Sequence, residues 1–161
     1  MIRRYKERDF ERFKDIVRGC FDQYVYIGAG ELEEKMKAAI VDDFTSNAWN
    51  DRLINEFETY VCDSEIGVMG SGALLKHDNG PEIDMLFIEP DYHRLGIGTK
   101  MMGFLESLAK DRGYHEVFLH SYLNGIKFYE NRGYKAVRNF WYDYPEQGLK
   151  IPTTEMVKRL R

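Results

Sequence analysis

Apolar side chains recur at helical spacing near the start of the chain. Phe10, Phe13, Ile16 and Val17 share one face after Asp9, which predicts a helix capped by that aspartate, and residues 2–7 read as a strand. Gly28-Ala29-Gly30 interrupts the pattern, and Leu32, Met36, Ala39 and Ile40 then mark a second helix on an otherwise charged segment. Two helices are therefore predicted before the main sheet. From residue 58 the pattern becomes that of strands. Runs at 58–62, 67–75 and 82–88 are parted by turn clusters, notably His77-Asp78-Asn79-Gly80-Pro81, and read as an antiparallel meander. A helix over about 97–112 carries Met101, Leu105 and Leu108 on one face and stops at Gly113. A strand at 117–120, a short amphipathic helix at 125–131, a strand at 134–142 and a last strand near 155–160 follow. This order predicts one α/β (α+β) domain over residues 1–161, with a mixed, mostly antiparallel central sheet flanked by helices.

Composition narrows the classes. With 43% apolar and 14% aromatic residues, 161 residues suffice to bury a core, and disorder is excluded. The formal net charge of −4 speaks against a nucleic-acid partner. No apolar run approaches the ~20 residues of a membrane span, and Met1-Ile2-Arg3-Arg4-Tyr5 runs straight into charged sequence, so a cytoplasmic protein without a membrane partner is expected. Cys20 and Cys62 have no paired spacing, which predicts free thiols packed as small apolar groups. No two histidines stand at i, i+4, and no metal is predicted.

The candidate chemistry begins at Leu86-Phe87-Ile88-Glu89-Pro90-Asp91-Tyr92-His93-Arg94-Leu95-Gly96-Ile97-Gly98-Thr99, an apolar strand, a glycine-bearing turn and a helix start. The first amides of a helix lack intrahelical partners, and the helix dipole makes that end positive, so such a turn can bind phosphate. A dinucleotide fingerprint would need glycine where Met101 stands, and a phosphate loop would need Gly-Lys-Ser/Thr; both are missing. Taken alone, Gly96 and Gly98 could simply serve a tight connection.

Residues 82–98 resemble motif A of the GNAT acetyltransferase superfamily, Gln/Arg-x-x-Gly-x-Gly/Ala after an apolar strand, with His93 at the Gln/Arg place. Tyr122-Leu123-Asn124-Gly125-Ile126-Lys127-Phe128-Tyr129-Glu130-Asn131-Arg132-Gly133-Tyr134 resembles its motif B. The resemblance implies a GNAT-like fold and acetyl-CoA as cosubstrate. Its phosphates would lie on the turn from His93 through Arg94, Leu95, Gly96, Ile97 and Gly98 to Thr99. Its pantetheine arm would enter between splayed strands beside Leu86, Phe87 and Ile88, with Asn124, Phe128 and Tyr129 opposite. The expected reaction is direct acetyl transfer to a primary amine of a small molecule or a protein. An acyl-CoA-binding sensor or partner-binding module on the same fold is the alternative, and a homodimer stays open.

By the same resemblance, Tyr129 is the acid that protonates the departing thiolate, since a phenol holds its proton at neutral pH. Glu82 is the expected base, six residues before Ile88, the spacing of the catalytic glutamate in the histone acetyltransferase branch. Asp84, on the same strand face, and His120, at the end of the next strand, are the other candidates for that role. Phe21, Tyr24, Tyr26, Trp49, Trp141 and Tyr142 supply aromatic faces that could wall an amine pocket.

Overall fold

A computed structural model describes residues 1–161. Its strands are β1 (Ile2–Arg4), β2 (Glu58–Ser64), β3 (Gly67–His77), β4 (Gly80–Ile88), β5 (Glu116–Ser121), β6 (Lys135–Tyr144) and β7 (Leu149–Arg159). Its helices are α1 (Phe10–Gln23), α2 (Glu33–Phe44), α3 (Asn47–Asn55), α4 (Ile97–Asp111) and α5 (Ile126–Asn131). The strands form one sheet in the order β1-β2-β3-β4-β5-β7-β6, antiparallel throughout except where β4 meets β5. No helix is long and apolar enough to cross a membrane.

The alternation of each strand feeds two cores. On one face α1 buries Phe13, Ile16, Val17 and Phe21 with Ile40 of α2 and Leu53 of α3 against Val61, Ala73 and Met85. On the other, Met101, Met102, Leu105 and Ala109 of α4 cover Leu74, Ile83, Val117, Leu119 and Met156. The backbone of β3 comes close to α4 at Gly72, where a Cβ would stand 2.7 Å from Met101 Cγ and 2.9 Å from Leu105 Cδ1.

Four expectations need correction. The first strand stops at Arg4 because a 3-10 turn at Glu7–Asp9 follows it, and Asp9 does not cap α1 with its side chain. That carboxylate instead accepts from the Lys6 amide at 2.8 Å and from the Arg3 guanidinium at 2.9 Å. Three helices, not two, precede β2. The additional helix, α3, starts at Ser46, whose Oγ accepts the Trp49 amide at 3.2 Å, and it buries Leu53. The last strand begins at Leu149, not near Glu155, and pairs along nearly all of β6. Pro152 hides that half, although it sits opposite Trp141 in the ladder.

Candidate active site

The site lies where β4 leaves β5. Their ladder is a single pair, Glu82 with Phe118, and beyond it the two strands part. The cause is a bulge. Between Ser71 and Ala73 on β3 there is one residue, and between Phe87 and Asp84 on β4 there are two. Met85 holds φ at 55°, a costly value for a side-chain-bearing residue. Three groups clamp it. Its amide donates to Asp84 Oδ1 at 2.7 Å, its carbonyl accepts from Ser71 Oγ at 2.7 Å, and Trp49 Nε1 points at its sulfur at 3.4 Å.

Past the bulge, Glu89 donates its amide across to Met69 at 2.8 Å. Alternation along the strand therefore turns the Ile88 amide and carbonyl away from β3 and toward the gap. The Ile88 carbonyl is taken there by Cys20 Sγ at 3.1 Å and His93 Nε2 at 2.7 Å. His93 also stacks on Tyr24, with ring centroids 4.0 Å apart. Its ring thus ties the strand end to the turn, and its amide is spent on Pro90.

After His93 the backbone amides of Arg94, Leu95, Gly96, Ile97, Gly98 and Thr99 have no partner within the protein. Arg94 at φ 66° and Gly96 at φ 82° bend the chain so that α4 opens directly behind them. Such a run of free amides at a helix start is a ready anion cradle. A Cβ built on Gly98 would lie 3.5 Å from Phe128 Cζ and 3.6 Å from Ile88 Cγ1, so the turn, the end of β4 and α5 converge on one spot.

Across the gap Tyr129 rests edge-on against Phe128 and Tyr134. Gly125 makes room for it, since a Cβ there would stand 2.7 Å from Ser121 Oγ and 3.1 Å from Tyr129 Cε2. The Tyr134 hydroxyl is bonded to Glu106, whereas that of Tyr129 has no protein partner. Burial, with the charge of Asp84, pushes the Tyr129 phenol above its ordinary value, so it stays protonated. Asn124 spends its side-chain oxygen on the Tyr26 amide at 3.1 Å, pinning the loop after α1.

Glu82, Asp84 and His120 come together on the other face of the sheet, with two neighbours that the sequence did not single out as reactive. Glu82 is 6% exposed, and its Oε1 lies 3.0 Å from His77 Nε2. Its Oε2 faces His120 Nδ1 at 3.9 Å, and His120 Nε2 bonds to Glu155 at 3.1 Å. Desolvation, then the like charges of Asp84 and Glu155, push Glu82 up to about 8. Desolvation also raises Asp84. His77 was concealed by its turn-like context, and Glu155 by the ladder that brings β7 beside β5.

Of the aromatic residues, Phe21 is core and Trp49 packs on Phe44 and Phe57. Tyr24, Tyr26, Trp141 and Tyr142 are exposed, and Tyr142 lies near enough to feel the charges of Asp84 and Glu82. Both cysteines are free and buried, and desolvation pushes the Cys20 thiol up to about 12.

Solved structures share this fold over almost the whole length of this chain. A GCN5-related N-acetyltransferase from Rhodopseudomonas palustris is 24% identical, with a TM-score of 0.84 over 99% of this chain and 95% of that one. The PaiA N-acetyltransferase from Thermoplasma acidophilum, in complex with coenzyme A, is 20% identical, with a TM-score of 0.78 over 99% and 98%. N-acetylglutamate synthase from Neisseria gonorrhoeae, complexed with coenzyme A and N-acetyl-glutamate, is 16% identical; the match, with a TM-score of 0.70, covers all of this chain and 35% of that one. No curated protein sequence matches the chain. The family model described as acetyltransferase (GNAT) domain matches residues 23–160. Since that match takes in most of the sequence, the chain belongs to the GNAT acetyltransferase family.

Proposed function

We propose that residues 1–161 form a single N-acetyltransferase domain that moves the acetyl group of acetyl-CoA directly to a primary amine. The observation that carries this reading is the run of six free amides, 94–99, opening onto the gap between β4 and β5 with Tyr129 on the far side. The diphosphate of the cosubstrate would sit on those amides. The pantetheine arm would lie in the gap beside Phe87 and against the outward backbone of Ile88, pairing like an added strand. The Ile88 amide is the donor for the thioester oxygen as it becomes an oxyanion.

The chemistry then divides among this chain's own groups. Glu82 in its ionised form takes the amine proton, directly or through one water. The freed nitrogen lone pair attacks the acetyl carbon, the C–S bond breaks, and the thiolate takes the Tyr129 proton. Cys20 is buried, hydrogen-bonded and protonated, so no enzyme nucleophile intervenes. Glu82 and Asp84, whose ionised forms a bound ammonium would stabilise, give with Tyr142 a floor and an aromatic wall that favour an ammonium-bearing acceptor over an alcohol.

The test has two parts. Calorimetry with coenzyme A should show one site per chain. A panel of primary amines, scored by thiol release from acetyl-CoA, should contain at least one substrate. Binding without release across small amines and peptides would favour a sensor, and no binding would end the proposal.

A further inference from the structure

A base that collects a proton at every turnover must lose it again before the next. Glu82 is poorly placed to do this alone, because its side chain retains only 8% of its exposure. Its two oxygens lead in different directions. Oε2 faces His120, whose Nδ1 at 3.9 Å is beyond hydrogen-bond reach. The other nitrogen of that ring is committed to Glu155, which Arg138 clasps at 3.2 Å. That branch ends in an ion pair. Oε1 lies 3.0 Å from His77 Nε2, and the His77 side chain, at the last position of β3, is 43% exposed. Phe118 stands between the two imidazoles, 5.7 Å from each by ring centroid, and keeps the branches apart.

We propose that His77 is the proton exit of Glu82, carrying to solvent what the carboxylate takes from the acceptor. The proposal rests on reading Glu82 as the base. In the step itself the Glu82 O–H bond breaks as an N–H bond forms at His77 Nε2, and the Nδ1–H bond of the resulting imidazolium breaks to water. Glu82 is left ionised and His77 neutral. Exchange of tautomers through water then frees Nε2 for the next proton. Imidazole suits this passage because one nitrogen can accept while the other donates, and its ordinary proton affinity lies near neutrality. His77 touches no reacting atom in this scheme, and its role is relay alone.

The test needs no identified acceptor. A light-triggered pH jump on the protein saturated with coenzyme A, followed by infrared spectroscopy, reads the carboxylic C=O band of protonated Glu82; its loss in Glu82→Gln assigns it. His77→Ala and His77→Gln should slow the proton release at least tenfold. Added imidazole should restore the rate in His77→Ala, a rescue that a purely structural role would not allow. Unchanged relaxation in both variants overturns the proposal, as does a slowed rate that imidazole does not restore. The base reading fails separately, if Glu82→Gln leaves acetyl transfer to a substrate amine intact while the His77 variants still slow the band.

Discussion

Glu82 and Asp84 stand two residues apart on one strand face, in a place where neither is easily ionised. The sign of that strain fixes a stability test. A carboxyl whose folded value is raised keeps its proton while the unfolded chain has already released it, so stability falls as pH rises from the ordinary carboxylate range to about 8. Glu82→Gln removes that slope. Its Tm should match the parent protein at pH 4.5 and exceed it by several degrees at pH 8, on the order of a few kcal/mol. Scanning calorimetry at the two values decides it, and equal Tm at both means that Glu82 is not strained. The same variant should lower kcat by about 10²-fold near neutrality. The loss should shrink as pH nears the amine's own pKa. Tyr129→Phe should cost a similar factor in kcat with coenzyme A affinity retained, because the hydroxyl holds up nothing else. A loss of binding instead would make Tyr129 a cofactor contact rather than the acid.

At the scale of the element, the strand, turn and helix from Leu86 to Thr99 separate binding from folding. Gly98→Asp has room, since its Cβ meets Phe128 only at ordinary contact distance. A carboxylate in the first turn of α4 is favourable to the helix itself. Coenzyme A affinity should nonetheless fall by roughly tenfold or more, through repulsion of the diphosphate, while Tm holds or rises. Calorimetry showing intact affinity would remove the phosphates from this turn. This turn was legible in the sequence because its amides must be free whatever the side chains are, and the glycines announce them. The bulge was not. Asp84-Met85-Leu86-Phe87 reads as an uninterrupted strand, and its kink is held by the Asp84 carboxylate within it and by Ser71 and Trp49, which come from other parts of the fold. Helix α3 escaped for a related reason. Its nine residues bury only Asn50 and Leu53, which leaves too little periodicity to see. The relation of His77 to Glu82 was equally hidden, because it depends on the β3–β4 register that sets His77 against Gly80 and Leu75 against Glu82.

Across the whole molecule, the gap proposed to admit a cosubstrate also weakens the sheet. With one backbone pair between β4 and β5, the halves β1–β4 and β5–β7 depend on side-chain packing, that of α4 included. Helix α4 packs against β3, β4 and β5, and its Glu106 fastens it to the far half. That carboxylate is 9% exposed and receives Lys158 of β7 at 2.8 Å, the Tyr134 hydroxyl at 3.1 Å and Arg132, just after α5, at 3.4 Å. Arg132 Nε is itself buried without a partner, so the guanidinium already depends on Glu106. Glu106→Gln keeps the shape and one acceptor for Tyr134 but leaves two cations without their counter-charge. Removing one member of such a partly buried cluster costs about 3 kcal/mol, or roughly 10 °C in Tm for a chain of this size. Arg132 and Tyr134 flank the turn that follows Tyr129, so the loss should also reach that residue. In the place proposed for it, coenzyme A would bridge the same two halves, and at about 100 times its Kd it should return near 2.7 kcal/mol. Scanning calorimetry of Glu106→Gln with and without coenzyme A tests both statements. A Tm within a degree of the parent protein would mean that the α4 core alone holds the halves together, and that Glu106 is a solvated pair rather than the strap across the gap.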